Sequence, residues 1–301
     1  MKTAFLAKWG STSAACVLVG AAVAACHGGG GSDNLSGAAC VSGVLQVAAG
    51  THGSLYIQDA RGIVHYSRKG KLLATFGPKR GDWTVDGAGD VYYLSDEDIV
   101  KVSSDGKVLL RWHARMMEPE AVNPANGDVL TVYGGGGYAG LGPDPFELFS
   151  PTGRKIHRWS SPFAAGVGFD NSGDFVATGQ TNAELVAVDP LTGKTVVRTP
   201  PGLGAPYSVV GSDGHGHIFI GGQNGSDTPF TVERVTITSG KFHFKTLNSS
   251  EESVGGLTVA SDGNIYVIRS SYNEPGPTDT GLEELSSTGS SEGKFAACKK
   301  K

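Results

Sequence analysis

Asp86-Gly87-Ala88-Gly89-Asp90-Val91-Tyr92-Tyr93 sets an Asp and two glycines directly before a β-branched and aromatic run. Glycine reaches positive φ without a Cβ clash, so the stretch predicts a hairpin tip followed by a strand. Five further segments repeat the pattern: His52-Gly53-Ser54-Leu55-Tyr56-Ile57, Asn126-Gly127-Asp128-Val129-Leu130-Thr131, Ser172-Gly173-Asp174-Phe175-Val176-Ala177, His215-Gly216-His217-Ile218-Phe219-Ile220 and Asp262-Gly263-Asn264-Ile265-Tyr266-Val267. Their glycines stand 36, 38, 46, 43 and 47 residues apart. An apolar run precedes each tip, as in Trp83-Thr84-Val85 and Leu257-Thr258-Val259, so every tip joins two strands.

A second turn follows in each unit: Lys69-Gly70-Lys71, Asp105-Gly106-Lys107, Thr152-Gly153-Arg154, Thr192-Gly193-Lys194, Ser239-Gly240-Lys241 and, less cleanly, Thr288-Gly289-Ser290. Strand-like runs flank it. Four short antiparallel strands per unit of about 40 residues, six times over, predict an all-β, six-bladed β-propeller with four-stranded blades. Stacked helical hairpins would need apolar residues at helical spacing, and these runs alternate instead.

Within this pattern, Asp86-Gly87-Ala88-Gly89-Asp90-Val91-Tyr92 and Ser261-Asp262-Gly263-Asn264-Ile265-Tyr266-Val267 resemble the NHL-type repeat of six-bladed propellers, a group that includes gluconolactonase-like enzymes. The resemblance covers roughly residues 41 to 298 and implies the fold. It is poor for function, because such repeats occur in lyases, lactonases, peptide-binding modules and scaffolds alike.

The first 26 residues have a basic start and an apolar run from Cys16 to Ala25, too short to span a bilayer. Val23-Ala24-Ala25-Cys26 resembles the lipobox of bacterial lipoproteins, which implies a signal peptide over 1–25 and a lipidated Cys26. Ser13-Ala14-Ala15-Cys16 lacks the preceding apolar run. A diacylglycerol and an N-acyl chain on Cys26 would anchor the protein to the membrane, and His27 in place of Asp favours the outer membrane of the cell envelope. An ordinary cleaved secretion leader is the alternative. Residues 26–39, with Gly28-Gly29-Gly30-Gly31-Ser32, read as a flexible tether, 40–298 as the propeller and 299–301 as a basic tail. Cys40 and Cys298 bracket the propeller, and in an exported protein this suggests a disulfide joining its ends. Such a bond would contribute on the order of 5 kcal/mol in the chain-entropy model. A pair of free buried thiols is the other reading.

Without the leader the chain carries 23 basic and 29 acidic residues, a net charge of −6, which argues against nucleic acid as a partner. Gly135, Gly137 and Gly140 match a dinucleotide-binding glycine pattern but lie between two strands, with no helix to receive a phosphate. His215 and His217 share a hairpin tip, which reads as a solvated turn, and no Gly-x-Ser-x-Gly nucleophile turn is present.

Long segments 134–145, 222–229 and 270–281 fall between second and third strands, on the face opposite the glycine hairpins, and offer Tyr138, Asp144, Asn224, Tyr272 and Asn273 as loop-binding candidates. Links entering the channel on that face carry Arg80, Asp82, Trp83, Arg115, Glu118, Glu120, Glu251 and Glu252. Two functions are expected from this layout. One is a cell-envelope module that binds or scaffolds a protein, peptide or glycan. The other is a lactonase or lyase in which acidic channel residues hold calcium or magnesium, a cation polarises a carbonyl and an acidic residue acts as general base. The family's lactonase motifs have no residue-by-residue match here, and no catalytic set identifies itself.

Overall fold

The computed structural model of the protein describes residues 44–133, 144–161, 163–170, 172–179, 184–199, 207–213, 217–223, 229–270 and 281–295. Blade one comprises β1 (Gln46–Ala49), β2 (Leu55–Asp59), β3 (Gly62–Tyr66) and β4 (Leu72–Phe76). Blade two comprises β5 (Trp83–Val85), β6 (Val91–Ser95), β7 (Asp98–Val102) and β8 (Val108–His113). Blade three runs through β9 (Met117–Val122), β10 (Val129–Tyr133), β11 (Asp144–Phe149) and β12 (Lys155–Ser161). Blade four has β13 (Phe163–Phe169), β14 (Phe175–Gly179), β15 (Leu185–Asp189) and β16 (Lys194–Arg198). Blade five has β17 (Tyr207–Ser212), β18 (Ile218–Gln223), β19 (Phe230–Thr238) and β20 (Lys241–Ser250). Blade six ends the ring with β21 (Ser253–Val259), β22 (Ile265–Ser270), β23 (Gly281–Leu285) and β24 (Ser291–Lys294).

Each blade is an antiparallel sheet of four consecutive strands, so among the described residues no strand crosses over to complete a neighbour's sheet. The first strand of each blade is innermost, and each innermost strand touches those of both neighbouring blades, β21 meeting β1 to close the ring. Among the described residues, packing and a few polar contacts join blade six to blade one. Phe295 meets Tyr66 of blade one and Tyr266 of blade six edge to face, at 6.2 and 5.7 Å. Ala49 donates its N–H to Thr258 Oγ1 at 2.9 Å, and Arg68 pairs with Asp262 at 2.8 Å. Cys26, Cys40 and Cys298 lie outside the described residues.

The alternation of the middle strands has a different meaning from an inside and an outside. β2 and β3 are buried along their whole length because neighbouring blades cover both faces of each sheet. Side-chain direction, with its period of two, sorts residues between two seams. Leu55 and Ile57 pack with Tyr266 and Ile268 of blade six, whereas Tyr56 packs with Trp83 and Val91 of blade two. Six such apolar clusters fill the six seams. Solvent reaches mainly the outermost strands, as on β4 and β8.

The second turn of blade three shows why glycine is required there. Gly153 has φ +79°, and a Cβ at that position would stand 2.7 Å from Cγ of Trp112 on the outer strand of blade two. Gly153→Ala combines an unfavourable φ with an overpacked seam. The expected loss is roughly 2 kcal/mol of unfolding free energy, read from the urea midpoint. An unchanged midpoint would contradict that packing.

Candidate functional site

Strand direction puts the links between blades and the connections between second and third strands on one face, and the glycine hairpins on the other. Asp144 opens β11, with its backbone opposite Ser161. Its side chain, and Tyr138, Asn224, Tyr272 and Asn273, lie outside the described residues.

At the channel mouth on the link face, blades two and three bring three carboxyl groups together. Asp82 immediately precedes β5, and Glu118 and Glu120 stand on β9, the neighbouring inner strand. The register between β9 and β10 skips Glu120: Leu130 opposes Ala121 and Thr131 opposes Pro119. Glu120 is therefore the extra residue of a β-bulge, a device that re-aims a side chain, and Pro119 fits there because a bulge spares its missing N–H.

Burial pushes the Glu118 carboxyl up to about 8, helped by a hydrogen bond to Asp82 and by its charge. Burial, then the charges of Asp82 and Glu118, raises Glu120 to about 8 as well. Glu118 and Glu120 therefore keep protons around neutral pH, because carboxylates this close cannot all ionise cheaply.

The link carrying Asp82 is held from blade one. The buried amide of Gln58 donates from Nε2 to the carbonyls of Pro78 and Gly81, each at 3.2 Å, and Gln46 Nε2 donates to Trp83 O at 2.9 Å. Neither glutamine stood out in the sequence. An amide inside the otherwise apolar run Leu55-Tyr56-Ile57-Gln58 was the available signal.

The other mouth candidates separate. Trp83 is a correction: only 1% exposed, it wedges between blades one and two, 6.4 Å from the Tyr56 ring, and is closed to a ligand. An aromatic opening an inner strand points into the seam. Arg80 and Arg115 are exposed on their links, Arg115 at φ 55°. Glu251 and Glu252 are exposed on the link to blade six and do not figure among the charges acting on Glu118 and Glu120.

Glu252 instead borders a second feature, a cleft of about 150 Å³ lined by Glu252, Arg269, Gly281, Glu283, Ser291 and Lys294. Arg269, 4% exposed, is its anchor. Its guanidinium donates to Glu283 Oε2 at 2.9 Å, to Asn248 Oδ1 of blade five at 2.7 Å and to the Glu252 carbonyl at 3.3 Å. Strand parity does not reveal such a residue, because both faces of β22 are covered.

Among the described residues, no group of three or more His, Cys, Asp or Glu side chains is arranged to hold a metal ion. Asp82, Glu118 and Glu120 do not fit the calcium or magnesium that the lactonase resemblance implies.

No family model matches the chain, and no curated protein matches it. Solved structures do. The β-propeller domain of Cps50 (Swd1) from Myceliophteria thermophila aligns with TM-score 0.57 at 11% identity, over 86% of this chain and 87% of that one. Hydrazine synthase of Kuenenia stuttgartiensis gives TM-score 0.55 at 12% identity, covering 81% and 76%. Virginiamycin B lyase from Staphylococcus aureus gives 0.52 at 14%, covering 86% and 85%. At these identities the shared property is the β-propeller fold.

Proposed function

We propose that this propeller is a binding module of the bacterial cell envelope that holds a protein or peptide partner on its link face. Asp82, Glu118 and Glu120 receive a basic group of that partner at the channel mouth. The observation that carries the reading is the convergence of these three carboxyls from two blades, with Glu120 turned by a bulge. Such proximity costs stability, and groups held at a cost concentrate where a molecule acts. An incoming ammonium or guanidinium would offset the repulsion and release protons. The net charge of −6 without the leader favours basic partners at long range.

Placement in the envelope rests on Cys26 and its resemblance to the lipobox, with Gly28 to Gly31 as the leash. Mass spectrometry of the mature protein tests it: a lipidated Cys26 at the N-terminus is expected, as is a Cys40–Cys298 disulfide in the unreduced sample. A leader cut elsewhere without lipid would overturn the anchor.

For the binding reading, the immobilised soluble domain is used to capture partners from envelope extracts. The expected result is a partner retained by the wild type and reduced at least tenfold by Glu118→Gln/Glu120→Gln, with the fold intact by circular dichroism. Equal capture by both would overturn the role of the trio, and retention of glycan alone would overturn the choice of a protein partner.

A further inference from the structure

The cleft on blade six is built around an arginine that the fold does not require. Six residues after its hairpin glycine, blade six has Arg269, where the other blades have Asp59, Ser95, Tyr133, Gly179 and Gly222. Those blades pair and pack without a cation at this place, and burying one carries a desolvation cost. Register shows what makes room for it. Arg269 lies opposite Gly281 across β22 and β23, and Glu283, on the same face as Gly281, lies opposite Lys294 of β24. With no side chain at Gly281, the cleft opens beside the guanidinium. The backbone does not demand glycine there: φ is not positive, and a Cβ would meet Lys294 Nζ, Cδ and Cε at the ordinary distances of 3.7, 3.8 and 3.8 Å.

The lining groups have separate tasks. A guanidinium carries five N–H groups. Among the described residues, Arg269 uses one on each nitrogen, toward Glu283, Asn248 and the Glu252 carbonyl, which fixes its orientation and leaves donors for a ligand. Glu283 is engaged at both oxygens, Oε2 by Arg269 and Oε1 by the Ser291 hydroxyl at 2.7 Å, so it orients the arginine. The Lys294 ammonium stands on the cleft wall over Gly281. Glu252 is pinned at the rim by its backbone, its N–H donating to Ser250 Oγ at 3.0 Å and its carbonyl accepting from Arg269, and the residue is exposed.

We infer that this cleft binds a free α-amino acid, its carboxylate on Arg269 and Lys294 and its ammonium on Glu252. Charge selects that class. The lining sets Arg269 and Lys294 against Glu252 and Glu283, so a ligand with net charge gains little, whereas a zwitterion meets an opposite charge at each pole. A doubly charged phosphate would face both glutamates. The volume of about 150 Å³ is half the roughly 300 Å³ at which drug-sized sites begin, which suits a small molecule. Arg269 is 4% exposed, so a carboxylate bonded to it leaves water and the charge-assisted hydrogen bonds strengthen. The site stands at the link-face ends of β22 and β23 and is independent of the reading given to Asp82, Glu118 and Glu120.

The probes are glycine, L-alanine and L-serine, titrated into the purified protein by calorimetry. The expected result is saturable binding of at least one of them, with its N-acetyl derivative, which lacks the ammonium, and its amide, which lacks the carboxylate, each weaker by about tenfold. Lys294→Met and Glu252→Gln should each weaken it by a similar factor, and Gly281→Leu, which plugs the cleft, should abolish it. Arg269 is left in place because its loss would unsettle the seam itself. Lys294 and Glu252 are exposed, so their variants decide the matter should Gly281→Leu fail to fold. No saturation by any of the three amino acids would overturn the proposal, as would equal binding of either derivative, saturation by inorganic phosphate instead, or full binding by a folded Gly281→Leu protein. Glu118→Gln/Glu120→Gln should leave amino-acid binding intact, so failure here is distinguishable from failure at the channel mouth.

Discussion

Arg269→Met is expected to lower the unfolding free energy by roughly 3–5 kcal/mol, because it leaves a partly buried carboxylate without its counter-charge. Arg269 bonds three acceptors at once: the Glu283 carboxylate, the Asn248 amide oxygen and the Glu252 carbonyl. Those groups belong to blade six, blade five and the link between them, so the guanidinium ties a seam as well as balancing a charge. Methionine restores most of the volume and none of the donors. Urea denaturation near neutral pH reads the loss. Adding Glu283→Gln to Arg269→Met should recover part of it, since the stranded charge is then removed. A loss below about 1 kcal/mol would mean that water replaces the guanidinium.

Glu118→Gln/Glu120→Gln should act in the opposite sense and raise stability at alkaline pH. A carboxyl whose pKa rises on folding binds its proton more tightly in the native state. Its contribution is present below the unfolded value of 4.5 and is lost as pH climbs through about 8. The wild-type Tm should therefore fall across that window, while the double variant stays flatter. Solvent screens both groups, so the gap at the alkaline end is on the order of 2 kcal/mol. His65 gives the reverse slope: burial holds it below its usual 6.5, so its contribution is lost as pH falls below that value. Both proteins share His65, so the difference between their curves isolates the two glutamates. Parallel curves would contradict the carboxyl cluster.

The ring was legible because its determinants are local. A hairpin glycine such as Gly89 or Gly263 announces a turn wherever it stands, and regular spacing turns six turns into six blades. The seams were not legible. Nothing in Val91-Tyr92 tells which neighbour each residue meets, and the answer comes only when both faces of the sheet are covered. The same limit governs the site. Asp82, Glu118 and Glu120 carried the right chemistry in the sequence, but their meeting depends on the Glu120 bulge and on Gln58 holding the link. Glu251 and Glu252 carried the same chemistry and stand apart from them. Trp83, a channel-mouth candidate by its place on the link, is closed off by its strand position.

Site-specific photo-crosslinking in intact cells tests the binding function most directly. A photoreactive residue is placed in turn at Arg80 and Arg115, both exposed on links of the channel-mouth face, and at Leu109 on the outer edge of blade two, which is also exposed. The account predicts one protein captured from both link positions and not from Leu109, with capture lost in the Glu118→Gln/Glu120→Gln background. Capture from Leu109 alone, or from the links irrespective of the two glutamates, would contradict it.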